Sequence, residues 1–293
     1  MKLLAALAGA LAISFSAILY ALAEVSPMTG AFYRSLYALP VLVVIWWVRR
    51  DQDQRTSRKR IIAYVAGLLL GLDMVLWHIS IEYIGAGLST LIANSQVIVV
   101  AVVAWLFLGE RPSRQIAIAI PVVLFGVALV SGLGRGDSFG SKPLLGAVLA
   151  LVSAVFYAAF LLGMRNSNDV QAPSAGPLME ATAGAVLAVL VVSGLGEGIQ
   201  FAPTWPGHGW LLALALSSQV AGWLLIGYAL PRLPAAETAT IIMLQPVLTM
   251  IWGVIIFGER PSLIQLVGAG VVLAGVGFVA MSSSRRTPKA LAV

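Results

Sequence analysis

Cysteine is absent from this 293-residue chain, and histidine occurs only twice. The lack of cysteine excludes disulfide bonds, thiolate nucleophiles and cysteine metal sites, and the scarcity of histidine argues against a histidine-rich metal site. Neither the H-E-x-x-H zinc motif nor the G-x-x-x-x-G-K-[ST] phosphate loop occurs. The sequence therefore gives no support to ATP-driven transport by this chain, and no cofactor is expected.

Charge is also scarce, at 10% of residues against about 25% in a soluble domain. Hydrophobic residues make up 60%, and the mean hydropathy is +0.96. Apolar runs recur along the chain, each close to the ~20 residues that a helix needs to cross ~30 Å of hydrocarbon. The sequence predicts an all-α integral membrane protein. We expect ten spans, at residues 3–22, 27–48, 61–81, 85–107, 114–132, 143–163, 174–196, 208–230, 235–257 and 263–281.

Lysine and arginine are distributed unequally between the two sides of these predicted spans. With the N-terminus inside, fourteen of the 18 basic residues fall on the inner side and three on the outer side, while Arg34 lies within a span. Basic residues gather on the cytoplasmic side of membrane proteins. The bias predicts that both termini are cytoplasmic, and the net charge of +6 does not indicate a nucleic-acid partner.

The pentapeptide GERPS occurs twice, at residues 109–113 and 258–262, an offset of 149. The correspondence is wider than the pentapeptide, because residues 91–131 match residues 240–280 at thirteen of 41 positions. Self-similarity of this kind predicts two copies of one structural unit. With ten spans in the chain, each copy contains five helices.

Because five is an odd number, the second copy must enter the membrane from the opposite side. Inverted repeats are typical of secondary transporters, whose binding site lies near the midplane between the repeats. Two halves related in this way can exchange conformations, which gives alternating access. We place the first repeat at residues 1–132, an outer connecting loop at 133–142, the second repeat at 143–281 and a cytoplasmic tail at 282–293.

Each GERPS copy suits a corner between two helices, since glycine ends a helix and proline suits the first position of the next. The ten spans, the duplicated unit and this corner, followed by a Gly- and Val-rich helix, resemble the EamA branch of the drug/metabolite transporter superfamily. The segment PAAETATIIMLQPVLTMIWGVIIFGERPS carries the same resemblance. The helix-breaking proline of the family is present as Pro246, but the first half has Val97 at the equivalent position. The two halves are therefore not expected to bend alike.

Within that family, the chain is similar to YddG-type proteins, which export aromatic and other neutral amino acids from bacteria. The resemblance implies a multi-pass protein of the bacterial inner membrane that exports amino acids or related metabolites. It implies a small-molecule substrate and the lipid bilayer as partners, and a monomer or weak dimer.

Polar side chains in membrane spans are costly and usually face a cavity or a partner. Gln96 and Gln245 are equivalent by the repeat and lie near the middle of their spans. Thr249 shares a helix face with Gln245, and Asn94 lies in the same span as Gln96. Amide groups could bind the carboxylate and amine of a zwitterion, or else form hydrogen bonds between helices. We predict that these four residues contact substrate.

Aromatic side chains within the spans could form the walls of a site for an apolar or aromatic substrate, although lipid-facing positions would explain them equally well. The candidates are Trp77, His78, Tyr157 and Trp223. Asp73 shares a face with Trp77, whereas His78 projects about 140° away from Asp73. Asp73 is suited to carrying a coupled proton or meeting a substrate amine, and equally to bonding a neighbouring helix as a neutral acid.

Arg34 and Glu180 occupy equivalent positions, seven residues after matched prolines. Inversion places them in opposite halves of the membrane, so they are not expected to pair with each other. Arg34 is expected to extend outward to Glu24 or Glu82. Gating salt bridges are one interpretation of both residues, and structural anchors are the other, which long side chains near span ends favour.

Four functions fit these features to different degrees. A secondary transporter of amino acids or related metabolites is favoured, and efflux of drugs or lipophilic cations, which would depend on Asp73, is the main alternative. An intramembrane enzyme depends on a short G-x-S-x pattern at residues 87–90 with His78 nearby, a match that arises by chance. Buried polar residues argue against a passive scaffold. The sequence thus predicts a transporter and not an enzyme.

Overall fold

The structure is a computed structural model that describes residues 1–109, 111–130, 142–194, 198–258 and 261–284. Within these ranges the chain is helical and contains no strand, as the sequence predicts. Some predicted features lie outside the described residues. They are Glu110, Glu259 and Arg260 of the GERPS corners, residues 133–141 of the outer loop and residues 285–293 of the tail.

The helices of the first half begin with a pair that is separated only by Phe15. Ser26 caps the third helix through its hydroxyl, which accepts from the Thr29 amide at 3.4 Å, and Pro27 occupies the first helical position. The helices are α1 (Lys2–Ser14), α2 (Ser16–Ala23), α3 (Pro27–Val48), α4 (Ser57–Ala93), α5 (Gln96–Leu108) and α6 (Arg114–Val130).

The second half contains a segment with π-helical hydrogen bonding, Ala215–Gly222, which joins two short helices into one continuous span. A 3₁₀ turn, Leu230–Arg232, ends that span. The helices are α7 (Pro143–Ser167), α8 (Ala175–Ser193), α9 (Gly207–Leu214), α10 (Trp223–Ala229), α11 (Ala235–Ile242), α12 (Gln245–Phe257) and α13 (Leu263–Ser284).

Seven helical segments among the described residues are long and apolar enough to cross a membrane. Three further apolar helices are shorter, at Gln96–Phe107, Arg114–Leu129 and Leu263–Phe278. Large apolar side chains such as Trp105, Phe107 and Leu263 lie exposed on the outer surface of the helices, as expected for contact with lipid. The seven long segments are Lys2–Ala23, Pro27–Val48, Ser57–Ser80, Leu144–Ser167, Ala175–Ser193, Gly207–Arg232 and Glu237–Phe257.

Helix α4 departs from the predicted spans, because helical hydrogen bonding continues through the expected break between residues 81 and 85. The chain nevertheless reverses there. The Ser89 hydroxyl donates to the Trp77 carbonyl at 3.4 Å, although twelve residues of straight helix would separate the two by about 18 Å. The reversal between the two predicted spans is therefore made without a non-helical loop.

Both halves contain a helix break at equivalent positions. The first break is a turn at Asn94 and Ser95, and the second is a turn at Met243 and Leu244, again at an offset of 149. The position of the break is therefore the same in both halves, whether or not a proline follows it. A proline follows only the second break, so the first forms without one, by tightening to bonds such as Val97 amide to Asn94 carbonyl at 3.3 Å.

The two GERPS corners end their preceding helices in the same way. Gly109 and Gly258 adopt left-handed conformations, with φ of 68° and 66°, that glycine reaches without steric cost. The sequence predicts that Pro112 and Pro261 occupy the first position of the next helix. That prediction is wrong by two residues, because α6 and α13 begin at Arg114 and Leu263. The serine hydroxyls of the two corners cap these helix starts. For example, the Ser262 hydroxyl accepts a hydrogen bond from the backbone N–H of Gln265 at 3.4 Å.

Helix α4 packs along both α7 and α8, and its contact with α8 depends on glycine. A Cβ atom at Gly67 would lie 1.8 Å from the Ala181 carbonyl oxygen, and one at Gly184 would lie 2.3 Å from the Tyr64 carbonyl oxygen. Backbone at that distance has no room for a methyl group. The close approach brings polar residues of α4 and α8 into the centre of the helices.

We expect Gly67→Ala to destabilise the protein by about 1–3 kcal/mol, because the added methyl group overpacks the contact between α4 and α8. The measurement is the thermal midpoint of the purified protein in detergent. Gly270→Ala is the matched control, since nothing lies within 4 Å of a Cβ atom at that exposed helical position. The control gains helix propensity, so equal midpoints for the two variants would contradict the packing argument.

Candidate functional site

Arg34 on α3 lies at the centre of a hydrogen-bonded network among the helices. It donates to the Ser16 hydroxyl and to the Gln219 side-chain oxygen, each at 3.2 Å. Gln219 in turn donates to the Thr182 hydroxyl at 3.3 Å. We call these four residues the arginine network. The expectation that Arg34 extends to Glu24 is therefore wrong, and the side chain of the other expected partner, Glu82, lies outside the described residues.

The charge of Arg34 is held by neutral acceptors. Within the described part of the chain, no carboxylate lies at ion-pair distance from its guanidinium, and its buried Nε atom has no hydrogen-bond partner. Among the described residues the positive charge thus has no direct ion pair, and an unpaired charge is costly inside a membrane. The arrangement therefore favours an anionic ligand.

Asp73 on α4 faces the same region and accepts a hydrogen bond from the Ser153 hydroxyl at 2.5 Å. Arg34 interacts electrostatically with both Asp73 and Tyr157. All three residues lie deep among the helices, yet each keeps some accessible surface. The centre of the helices therefore contains a cation and an acidic group within electrostatic reach of each other.

Gln219 is a site residue that sequence reasoning missed, although a signal for it existed. The offset of 146 that relates Arg34 to Glu180 also relates Asp73 to Gln219 and Trp77 to Trp223. Gln219 is fully buried and belongs to the π-helix. Single π turns occur frequently at functional sites.

Arg34 lies between two residues whose repeat mates contact each other directly. Ser16 and Ser153 are repeat mates, as are Gln219 and Asp73. Ser153 bonds Asp73 directly, whereas the guanidinium of Arg34 lies between Ser16 and Gln219 and bonds both. The contact between Ser153 and Asp73 is thus direct, whereas the guanidinium of Arg34 separates the equivalent pair, Ser16 and Gln219. The two sides of the site are chemically different for this reason.

Three of the predicted binding residues lie at the two helix breaks. Gln96 is the first residue of α5, 4% exposed, and its Oε1 atom has no hydrogen-bond partner among the described residues. Asn94 is buried in the preceding turn, and Gln245 is half-buried as the first residue of α12. The structure leaves their contact with substrate as a prediction.

Thr249 contacts the break between α1 and α2. Its hydroxyl donates to the Ser14 carbonyl at 2.9 Å, and Trp252 donates from its indole nitrogen to the Ser14 hydroxyl at 2.8 Å. The Trp252 ring also stacks on Phe15, with ring centroids 4.3 Å apart. In this conformation Thr249 therefore joins two helices.

The predicted aromatic residues form two separate groups. His78 is buried beside Trp77 and Tyr20, with ring centroids 5.0 and 5.2 Å away, and its Nδ1 atom lies 2.7 Å from the Met74 carbonyl oxygen. Trp223 is also buried, and lies 6.1 Å from the ring of Tyr157. Tyr157 is the member of the second group that interacts with Arg34.

Glu180 has a different environment from its repeat mate Arg34. It accepts from both Nη atoms of Arg55, at 2.8 and 3.2 Å, and Arg55 also donates to Asp53 at 2.8 and 2.9 Å. These hydrogen bonds attach the connection between α3 and α4, which contains Asp53 and Arg55, to Glu180 on α8. Since both Arg55 and Asp53 are buried and fully bonded, the arrangement favours an anchor for Glu180.

Asp53 lies outside the spans and titrates abnormally. Burial opposes its ionisation, but hydrogen bonds from Arg55 and Trp46 outweigh burial and lower the pKa of Asp53 from 3.8 to about 2. The folded state thus stabilises the carboxylate. Its contribution to stability is complete above pH 3.8 and is lost as the pH falls through about 2.

The sequence matches the EamA-like transporter family over residues 1–132 and again over residues 144–281. The chain belongs to this family. Membership in the EamA branch of the drug/metabolite transporter superfamily, predicted from the repeat and the GERPS corners, is confirmed. EamA proteins are membrane transporters and not enzymes, so this EamA chain has a small-molecule substrate and is embedded in the bilayer.

Several relatives of this EamA chain share most of its length. An uncharacterized transporter of Archaeoglobus fulgidus is 26% identical over 268 residues, covering 90% of this chain and 91% of the relative. The threonine/homoserine exporter RhtA of Escherichia coli K12 is 24% identical over 237 residues, covering 81% and 77%. A solved protein crystal structure superimposes with a TM-score of 0.80 at 14% identity, covering 97% and 98%, and shares the fold.

We expect Arg55→Ala to lower the free energy of unfolding by about 3–5 kcal/mol, because Glu180 would lose both of its hydrogen bonds to Arg55 and the buried Asp53 would keep only Trp46 and the more distant Arg60. The thermal midpoint in detergent measures the effect at neutral pH. Arg58→Ala is the control, since Arg58 is exposed, and it should change stability by less than about 0.5 kcal/mol. The gap between wild type and Arg55→Ala should also shrink as the pH falls from 3.8 towards 2. A gap that is independent of pH would contradict this assignment.

Proposed function

We propose that this EamA transporter exports neutral amino acids, or closely related metabolites, across the inner membrane of a bacterium. In this proposal ten spans form two inverted five-helix repeats, with both termini in the cytoplasm. The seven long apolar segments and three shorter ones support that count. The halves rock about a central site and open it to each side in turn.

The charge of Arg34, which has no direct ion pair among the described residues, carries the proposal. A guanidinium binds carboxylates through a fork of donors, and it does so best where water is excluded. Ser16 and Gln219 orient the side chain and leave its Nε donor buried without a partner. We assign the α-carboxylate of the substrate to Arg34.

Asp73 supplies the opposite charge for a zwitterion. Its carboxyl group interacts with Arg34 through space, without a direct ion pair among the described residues. A substrate whose carboxylate faces Arg34 and whose ammonium faces Asp73 would neutralise both groups. Tyr157 interacts electrostatically with both Arg34 and Asp73, so its ring suits contact with the substrate side chain.

The breaks before α5 and α12 provide a second set of polar groups for the pathway. Irregular backbone at membrane depth is tolerated only inside protein or beside a cavity. Gln96 offers an acceptor without a partner, and Gln245 is half-buried. We propose that Asn94, Gln96 and Gln245 contact substrate as the halves move, with Thr249 changing partners between α1 and the pathway.

Two observations favour a neutral amino acid as the substrate. RhtA, a relative that covers 81% of the chain, is named a threonine/homoserine exporter, and both of those amino acids are neutral zwitterions. Efflux of lipophilic cations is disfavoured, since Arg34 would repel a cation that approaches Asp73.

We expect wild-type protein in liposomes to take up labelled threonine and to discriminate against threonine methyl ester, which lacks the carboxylate. Arg34→Gln should lower threonine transport by about tenfold to a hundredfold, the effect of losing a hydrogen-bonded charge. The variant should also lose the discrimination against the ester. The measurement is kcat/KM for each compound.

Arg58→Gln serves as the control for Arg34→Gln, because it removes an exposed arginine outside the network. Size-exclusion profiles establish that each variant is folded. If Arg34→Gln kept the wild-type preference for threonine over the ester, Arg34 would not bind the carboxylate. If a panel of neutral amino acids gave no saturable uptake with folded wild-type protein, the proposed cargo would be wrong.

Asp73→Asn tests the other end of the zwitterion. If Asp73 binds the ammonium, we expect uptake to fall more than about tenfold both with and without a pH gradient. Exchange of labelled for unlabelled threonine across the liposome membrane, which needs no net proton movement, should fall equally. Exchange at the wild-type rate, with loss of gradient-driven uptake alone, would instead identify Asp73 as a proton carrier.

A further inference from the structure

A cavity of about 390 Å³ lies away from the arginine network, at the end of the helices that the distribution of basic residues predicts to be cytoplasmic. Arg111 reaches it from the first GERPS corner, Arg165 from the last turn of α7, and Arg232 from the 3₁₀ turn after α10. We call it the arginine pocket. Its other described lining residues are Ala104, Pro112, Ser113, Ile116, Pro231, Leu233 and Pro234.

Three like charges converge in this pocket, and none of its described lining residues is acidic. An anion bound in the pocket would be attracted by all three guanidinium groups. The three arginines come from separate elements, so packing of the tertiary structure brings them together. Arginine also presents a planar fork of donors that matches the oxygens of a phosphate group.

Arg232 is held in place before any ligand arrives. It donates to the Tyr228 carbonyl at 2.6 Å and to the Val170 carbonyl, and its guanidinium lies 3.8 Å from the centroid of the Tyr228 ring. A side chain that is already ordered loses little conformational entropy on binding. Arg232 therefore provides a fixed point of attachment.

The pocket is amphipathic, which bears on where a phosphate would come from. Ala104 and Ile116 form apolar wall on α5 and α6. On the same turns of α5, Trp105 and Phe107 are exposed on the outer surface, where lipid chains are expected. Basic pockets between membrane helices on the cytoplasmic side bind anionic lipid headgroups. A phospholipid could place its phosphate on the arginines and its chains along α5.

We propose that the arginine pocket binds an anionic phosphate group, supplied by the headgroup of a phospholipid in the inner leaflet. Arg111 belongs to the first half of the chain, whereas Arg165 and Arg232 belong to the second. The bound phosphate joins the two halves at this end of the molecule. It stabilises the conformation in which the three arginines lie around one cavity.

The test is a titration of purified protein in neutral detergent, read as the thermal midpoint. The probes are phosphatidylglycerol, which is anionic, phosphatidylcholine, which has no net charge, and inorganic phosphate. We expect phosphatidylglycerol to raise the midpoint and phosphatidylcholine to leave it unchanged. In Arg111→Gln/Arg165→Gln the apparent affinity for phosphatidylglycerol should fall about tenfold to a hundredfold.

Arg114→Gln is the matched control, because Arg114 is exposed at the start of α6 and does not line the pocket. It should bind phosphatidylglycerol as wild type does. Each variant is compared with its own lipid-free midpoint, and Arg111→Gln alone replaces the double variant if the latter does not fold.

Inorganic phosphate that reproduces the shift would support the phosphate site and assign it a soluble ligand. If no probe shifted the midpoint, or if the double variant responded like Arg114→Gln, the proposal would be overturned.

Discussion

The structure depends on one constraint that the hydrocarbon core of the bilayer imposes. Every backbone N–H and C=O group must form its hydrogen bond inside the protein, because no water is available there. The helices satisfy this along most of their length. Interruptions occur at Phe15, at the π-helix and at the turns before α5 and α12. Polar side chains accompany these interruptions: Ser14 and Ser16 at the first, Gln219 in the second, and Gln96 and Gln245 after the two turns. Departures from regular helix and the candidate site therefore coincide.

The two copies of the repeat differ in charge at one equivalent position, which is basic in the first copy and acidic in the second. Arg34 and Glu180 occupy equivalent positions, but Arg34 is held by neutral acceptors while Glu180 is neutralised by Arg55. A charge that is already paired has little to offer a ligand, whereas one held by neutral groups keeps most of its field. In the proposed function the first copy supplies the charge for binding, whereas Glu180 of the second attaches the connection between α3 and α4 to α8.

Contacts between the halves extend through the whole molecule. Helix α4 of the first half packs along α7 and α8 of the second, and α6 packs against its repeat mate α13. Glycine sets the separation in both places, since a Cβ atom at Gly126 would lie 2.9 Å from the Gly268 carbonyl oxygen. Smooth helix surfaces of this kind allow close contact without interlocking side chains. Such an interface is compatible with motion of one half against the other, and the arginine pocket lies across it at one end.

The sequence by itself determined the properties that depend on local pattern. Hydrophobic run length predicts helices that cross a membrane, self-similarity predicts the repeat, and glycine predicts the ends of α5 and α12 at Gly109 and Gly258. The predictions of apolar helices and of helix ends succeed because the length of a span and the conformation of a helix end depend on a few neighbouring residues.

Only the tertiary structure decided which polar groups meet. Arg34 bonds Gln219 across 185 positions of sequence, and helical periodicity gives the face of a residue but not the helix that it faces. The break at Asn94 was also decided there, since a turn without proline has no strong local signal and depends on surrounding helices to satisfy its backbone.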